Sequence, residues 1–358
     1  MSMSFKILTL KDSEEWNNQL AKLPVEQQDI YYTPEYYSLY ENYGDGKAMC
    51  FVFEKDGDIA LYPFLINSVN ALGYELDKEY FDIQGAYGYN GVLTNTYNCT
   101  FIDNFYKSFY NYCQPNNIIA EFTRFHPLLE NQKFSINHMQ VLFDRETISI
   151  DLTKNYDEIW KNDYSSRNRN MIRKAEKQGY TCKIISKPLK TEIDNFISIY
   201  LNNMEMVGAE EYYYFNNDFF HNTFVQLKNQ VMLFNIEDNK GQVVCSTIFF
   251  HYCDFFHYYL SGRTVDADNS VNNFLLNEAV KYSQGLGAKI FYLGGGRSCA
   301  TDDSLLKFKS NFSKTRLPFY IGKKIYNEEI YNEVISQWQT KYPEKVEKYK
   351  NHLLKYRY

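Results

Sequence analysis

A chain of 358 residues, 44% of them hydrophobic, is long enough to bury two cores, and a formal net charge of −6 (38 Lys+Arg against 44 Asp+Glu) argues against a protein that coats nucleic acid. Seven scattered cysteines (50, 99, 113, 182, 245, 253 and 299) form no C-x-x-C pair, so reduced thiols are expected rather than a zinc or redox centre. The start, MSMSFKILTLKDSEEW, has no apolar stretch before its charges, and no segment approaches the roughly 18 uninterrupted apolar residues of a membrane span, so a cytoplasmic chain is expected.

In chain order, FKILTL (5–10) reads as a strand and SEEWNNQLAKL (13–23) as a helix capped by Ser13. PEYYSLYENYG (34–44) opens with proline and closes at Gly44, which marks a second helix. MCFVFE and DIALYPFLI flank the turn KDG at 55–57, a hairpin signal. FIDNFYKSFYNYC (101–113) has helical spacing, and NIIAEFTRF (117–125) reads as a buried strand. A second block follows TISIDL (147–152): a helix over 165–178, strand YTCKIIS, helices TEIDNFISIYLNNMEM and NNDFFHNTFVQLKN, then strands QVMLFNIE, QVVCSTIFFHY and FFHYYLSG. The helix VNNFLLNEAVKYSQGLG and the strand AKIFYLGGG complete it, and a lysine-rich helical tail ends the chain. Helices on a mostly antiparallel sheet with one late βαβ crossover resemble the acetyltransferase-like (GNAT) arrangement more than a doubly wound parallel sheet.

Residues 165–184, SSRNRNMIRKAEKQGYTCKI, set six basic side chains against one acidic one. Ser165 or Ser166 can cap this helix, Gly179 can close it, and Met171, Ile172 and Ala175 form its buried stripe. Arg167, Arg169, Arg173 and Lys174 are left over. Arg169 and Arg173 are four residues apart on one face, so either a phosphate-bearing ligand or an acidic partner from the fold is expected between them; a solvated basic face is the alternative. Gly294, Gly295 and Gly296 after a strand imply a sharp turn or a close approach, of backbone or of an anionic donor. Histidines and acids form no ligand-spaced cluster, so no metal is expected, and no nucleophile elbow points to a hydrolase.

The stretch RNRNMIRKAEKQGY resembles the R-x-x-x-x-IRKA-x-K-x-G helix of the Fem-type (FemABX-like) peptidoglycan-bridge aminoacyltransferases and related GNAT-type N-acyltransferases. FDIQGAYGYNG (81–91), EFTRFHPLLEN (121–131), YYLSGR (258–263), YLGGG (292–296) and LLKFKSNF (305–312) agree in the same order, so the likeness spans nearly the whole chain. It implies an α/β fold of two GNAT-like domains packed side by side, with mixed, mostly antiparallel sheets flanked by helices and a cleft between the domains. The expected bounds are 1–148 for the acceptor side, 149–322 for the donor and catalytic side, and 323–358 for a helical tail packed back on the body. The coiled-coil arm of some members is missing.

The resemblance also implies roles. Phe308 and Lys309 match the family's FK pair, with the Lys309 ammonium near the reacting carbonyl, and Tyr258 is the nearer match to a family tyrosine at that point. Tyr87, Tyr89 and Arg124 are expected on the acceptor side, with Tyr212 and Tyr214 bordering the acceptor and Arg263 closing the substrate strand. His126 is equally a structural histidine. Arg169, Arg173, Lys174, Ser270 and Gly294–Gly296 are the candidates for an anionic donor. The loop TVDADNSV departs from the glycine-rich pyrophosphate loop of ordinary acetyl-CoA enzymes, which weakens the coenzyme A case. The expected activity is amide formation on an amine of a cell-envelope or glycan precursor. No cofactor is expected to be tightly bound; an acyl-CoA or an aminoacyl-tRNA is the co-substrate and a nucleotide-linked sugar or muropeptide the acceptor. No DNA is involved, contact with a lipid-linked precursor is peripheral at most, and the chain is a monomer or homodimer. A non-catalytic Fem-like binding protein is the alternative.

Overall fold

The structure, a computed structural model, describes residues 4–300 and 302–358. Two compact units emerge: one runs to Asp144 and resumes at Phe319–Tyr358, the other is Arg145–Pro318. The tail thus belongs to the first unit rather than forming a body of its own.

In the first unit the strands lie in the order Ser4–Thr9, Lys47–Lys55, Asp58–Ser68, Phe81–Gln84, Ile118–Arg124 and the part of Arg316–Ile325 from residue 319 onward. Leu93–Thr94 pairs with Asp58–Ser68 off this path. All neighbours run antiparallel except Phe81–Gln84 with Ile118–Arg124. The crossover between those two parallel strands passes through the helix Cys99–Cys113. The hairpin at 55–58 turns on Asp56 (φ 54°) and Gly57 (φ 93°), two left-handed residues whose twist suits a two-residue connection. Helix Pro34–Tyr43 starts with its proline, is capped by Thr33 and stops at Gly44 in the left-handed region. Ser13, expected as a cap, is instead the first residue of the helix Ser13–Ala21, and its hydroxyl turns back onto the Leu10 carbonyl. The core is an aromatic ladder in which Phe51, Phe53, Tyr62 and Phe64 of the hairpin meet Phe101, Phe105 and Phe109 of the long helix. On another cluster, Ile330, Val334 and Trp338 of the helix Glu328–Lys341 pack on Val69, Tyr80 and Ile119. Buried Asp82 then takes Tyr356 (2.8 Å) and Arg357 (2.8 and 3.0 Å) and fastens the last residues to the sheet.

The second unit repeats the plan. Its strands run in the order 145–151 (the end of Gln140–Asp151), Ile290–Gly295, Phe255–Arg263, Val243–Tyr252, Val231–Glu237 and Thr181–Ile185. Again a single pair is parallel, Phe255–Arg263 with Ile290–Gly295, joined through the helix Val271–Gly285. Helices Ser166–Lys177 and Val271–Gly285 bury Ile172, Ala175, Leu275, Leu276 and Ala279 in one core with Ile148, Phe234, Phe249 and Phe291 from the sheet. All seven cysteines are free thiols, and no described helix is long and apolar enough to cross a membrane.

Candidate active site

The parallel pair of the second unit stays in register for only three steps: Phe255 with Ile290, Phe256 with Phe291 and His257 with Tyr292. Beyond them the strands part. Both strands are irregular at that point. Phe249 opposes Tyr258 while Ile248 opposes Leu260, so Tyr259 is bulged out and Tyr258 keeps company with Ser261. On the other strand the register to its outer neighbour shifts between Tyr292 and Gly294, and Gly294 takes φ +75°.

The short helix Ser304–Lys309 delivers Lys309 to this opening. Lys309 is 6% exposed. Its Nζ donates to the Gly295 carbonyl at 2.8 Å and lies 5.5 Å from the centroid of the Tyr258 ring. Among the described residues no carboxylate ion-pairs with it. Removal from water disfavours the ammonium and pulls the pKa down to about 7, with the Asp303 charge resisting. Burial pushes the Tyr258 phenol up to about 12 against the pull of its bond with Ser261, so at neutral pH the phenol keeps its proton. A near-neutral amine and a protonated hydroxyl therefore stand together where two strands open. Phe308 is half-buried and meets Phe312 edge-on, which makes it part of the packing behind Lys309.

The basic helix behaves differently. Ser165 caps it through the Asn168 amide. The Arg169 guanidinium donates to the carbonyls of Trp160 (3.1 Å) and Tyr164 and to Ser166 Oγ (3.2 Å). It thereby closes the irregular turn Ile159–Asp163 that precedes the helix. Arg173 lies over the Trp160 ring at 5.4 Å, and Lys174 ion-pairs with Asp268 at 2.6 Å. Arg169 and Arg173 are thus met by backbone carbonyls and an indole, and Lys174 by the Asp268 carboxylate.

That aspartate also organises the loop before the helix Val271–Gly285. Asp268 accepts from the Ser270 amide (2.8 Å) and hydroxyl (2.5 Å), and the bonds from Lys174 and Ser270 hold its carboxyl well below the usual range. Ser270 is fully buried, and its amide at the entry to the helix Val271–Gly285 is already occupied by a protein carboxylate. Arg263 donates to the Ala267 carbonyl at 2.8 Å and braces the same loop. The three glycines show a similar outcome. A Cβ on Gly296 would fall 2.3 Å from Asp303 Oδ1, and Asp303 Oδ2 accepts from the amides of Arg297 (3.0 Å) and Ser298 (3.1 Å). At Gly296 the close neighbour is therefore Asp303, and at Gly295 it is the Glu146 carbonyl, 3.1 Å from where a Cβ would stand. Neither Asp268 nor Asp303 stood out in the sequence, although Asp303, three residues before Leu306, carries the spacing of a helix cap. Tyr212 lies in the short turn Glu211–Tyr213 and Tyr214 directly follows it; both are more than a third exposed.

In the first unit Tyr87, Tyr89 and Arg124 come together. The Arg124 guanidinium lies 6.0 Å from the Tyr87 ring centroid and 5.9 Å from that of Phe122, and it donates weakly to the carbonyls of Gly85 (3.4 Å) and Ala86 (3.3 Å). Tyr89 meets Tyr31, His126 and Phe319 edge-on. Gly88 (φ +101°) has no room for a side chain, since a Cβ would fall 2.4 Å from Tyr31. His126 is fully buried and bonded to Asp29 at 3.2 Å, a position suited to holding the loop.

Residues 164–309 match the family described as Acetyltransferase (GNAT) domain, a span that ends on Lys309. The matched residues all lie within the second unit, Arg145–Pro318. The chain is similar in fold to FemX: the two are 13% identical, with 92% of this chain and 99% of that one covered and a TM-score of 0.69. L-PGS from Bacillus licheniformis is similar at 12% identity, with 91% and 96% covered and a TM-score of 0.57. A tandem GNAT protein from the clavulanic acid biosynthesis pathway aligns at 7% identity, with 90% and 98% covered and a TM-score of 0.53. No curated protein matches the sequence. The Fem-type likeness drawn from the motifs thus holds at the level of the fold.

Proposed function

We propose that this protein is an N-acyltransferase that forms an amide on an amine of a cell-envelope or glycan precursor, with the opening beside Lys309 as its reacting centre. One observation carries the reading: a buried lysine amine with no ion-pair partner among the described residues, held by a carbonyl over a tyrosine ring at the point where the two parallel strands separate. Amide formation makes a C–N bond, breaks the C–O or C–S bond of the donor, takes one proton from the attacking amine and gives one to the leaving group. A lysine with a pKa of about 7 can accept that proton near neutrality and, once charged, stabilise the oxyanion of the tetrahedral intermediate. The Tyr258 hydroxyl is the second donor available to the carbonyl or the leaving group.

Between the two donors, the occupied amide of Ser270 favours an aminoacyl ester over coenzyme A, because a pyrophosphate at that helix entry would have to displace the Asp268 carboxylate. Arg124, with aromatic rings at its flanks, suits the phosphate of a nucleotide-linked acceptor. The test is a thermal-shift screen with acetyl-CoA, UDP-N-acetylglucosamine and UDP-linked muropeptides, followed by mass spectrometry of mixtures supplied with aminoacyl-tRNA or acyl-CoA. A new amide supports the reading. Stabilisation by an acceptor without product under any donor would instead identify a binding protein.

A further inference from the structure

We propose that Asp303 is the positioning residue of this site: its one carboxylate staples the strand exit at Gly296–Ser298 to the first turn of the helix that presents Lys309. The inference rests on the reading of Lys309 above. Oδ1 caps the helix Ser304–Lys309 through the Leu306 amide at 2.9 Å. Oδ2 accepts from the amides of Arg297 and Ser298 and from Ser298 Oγ (3.2 Å). Lys309 closes the loop from the other end of the same helix by donating to Gly295. A helix of six residues has too few internal hydrogen bonds to fix its own direction, so the pair Asp303 and Lys309 aims it. Gly296 leaves room for the carboxylate and for nothing larger than hydrogen.

The same group also bears a negative charge that resists the fall of the Lys309 pKa. Burial pushes the Asp303 carboxyl up, but the amides of Leu306, Ser298 and Arg297 together bring it below the usual value, so it stays ionised. Other charged or titratable groups around the strand exit include Arg297, Cys299 and Asp302 of the loop itself, Tyr258, Arg145, which donates to the Gly296 carbonyl at 3.1 Å, the Arg316–Glu146 pair and Lys307 of the same helix. Asp303 is the carboxylate whose charge favours the Lys309 ammonium.

The experiment follows the Lys309 side chain by NMR of protein labelled at the lysine Cε, with the signal assigned by its loss in Lys309→Arg. Asp303→Asn removes the charge and keeps an oxygen for the Leu306 amide. Its Lys309 midpoint should fall by about 0.5–1 pH unit, because an opposite charge has been taken away. Turnover should fall about 10-fold or more while KM for the donor changes little, as for a misaimed catalytic group. Asp303→Ser keeps the helix cap and loses the staple to Arg297 and Ser298, and it should show the same two changes with an unchanged thermal midpoint. A Lys309 midpoint and a turnover that both stay at the wild-type value in the two variants would overturn the proposal. The titration is read without substrate, so a wild-type protein that transfers nothing refutes the acyltransferase reading and leaves this test standing.

Discussion

Two helices of the second unit carry its most conspicuous lysines and arginines, and they handle charge in opposite ways. Helix Ser166–Lys177 is crowded with cations, and the protein satisfies its principal ones: Arg169 with carbonyls, Arg173 with an indole, Lys174 with Asp268. Helix Ser304–Lys309 buries a single cation and gives it a carbonyl and a ring instead of a carboxylate. The first arrangement organises backbone; the second leaves an amine whose protonation is finely poised. Density of charge in a sequence therefore marks structure here, and an unmatched buried charge marks chemistry.

The contrast breaks most readily at Lys309. Lys309→Ala should lower turnover by about 10²–10³, the usual loss of one oxyanion-stabilising donor, and Lys309→Arg should rescue it poorly because a guanidinium places its donors elsewhere. Steady-state kinetics on both variants checks this.

A second expectation concerns stability. The unfolded lysine holds its proton up to about pH 10.5, whereas the folded one releases it above about 7. Between those values the unfolded chain binds more protons, so this residue makes stability rise with pH, and its burial costs most below pH 7. Lys309→Met should raise stability at pH 6 by about 1–4 kcal/mol, as when a buried ion yields to an apolar side chain. The gain should shrink toward pH 10, as urea melts at the two pH values would reveal. A variant that is less stable at pH 6 would mean that the amine is better solvated than its surroundings indicate.

Smaller effects sharpen the other side of the comparison. Arg169→Ala strips the charged donor from the carbonyls of the Ile159–Asp163 turn and should cost about 1.5–3 kcal/mol in chemical denaturation, with kcat nearly unchanged. Lys174→Ala breaks a half-exposed ion pair and should cost less than about 1 kcal/mol, screened further by salt.

The fold was largely legible because each element carries its own punctuation. Pro34 and Gly44 bound one helix, the KDG turn bounds a hairpin, and Ser165 and Gly179 bracket the basic helix, all local signals that the structure repeats nearly to the residue. The site was less legible because its physics is not local. By its own surroundings Lys309 is a lysine at the end of a short helix; it becomes a buried amine only against Gly295 and Tyr258, which lie 14 and 51 positions earlier. Motif resemblance singled it out as a candidate, and helical spacing did not. Asp268 and Asp303 were invisible for a related reason, since a carboxylate that fills a backbone nest looks in sequence like any loop aspartate. The glycine run implied a sharp turn or a close approach, and nothing in the sequence said that Asp303 would stand against Gly296.

The most direct test places the two helices side by side: kcat/KM for amide formation in Lys309→Ala and in Arg173→Ala, measured with the same donor and acceptor. Lys309→Ala should lose about 10²–10³ and Arg173→Ala should stay within about threefold of wild type. A large loss in Arg173→Ala beside near-normal activity in Lys309→Ala would move the chemistry to the basic helix and contradict the account.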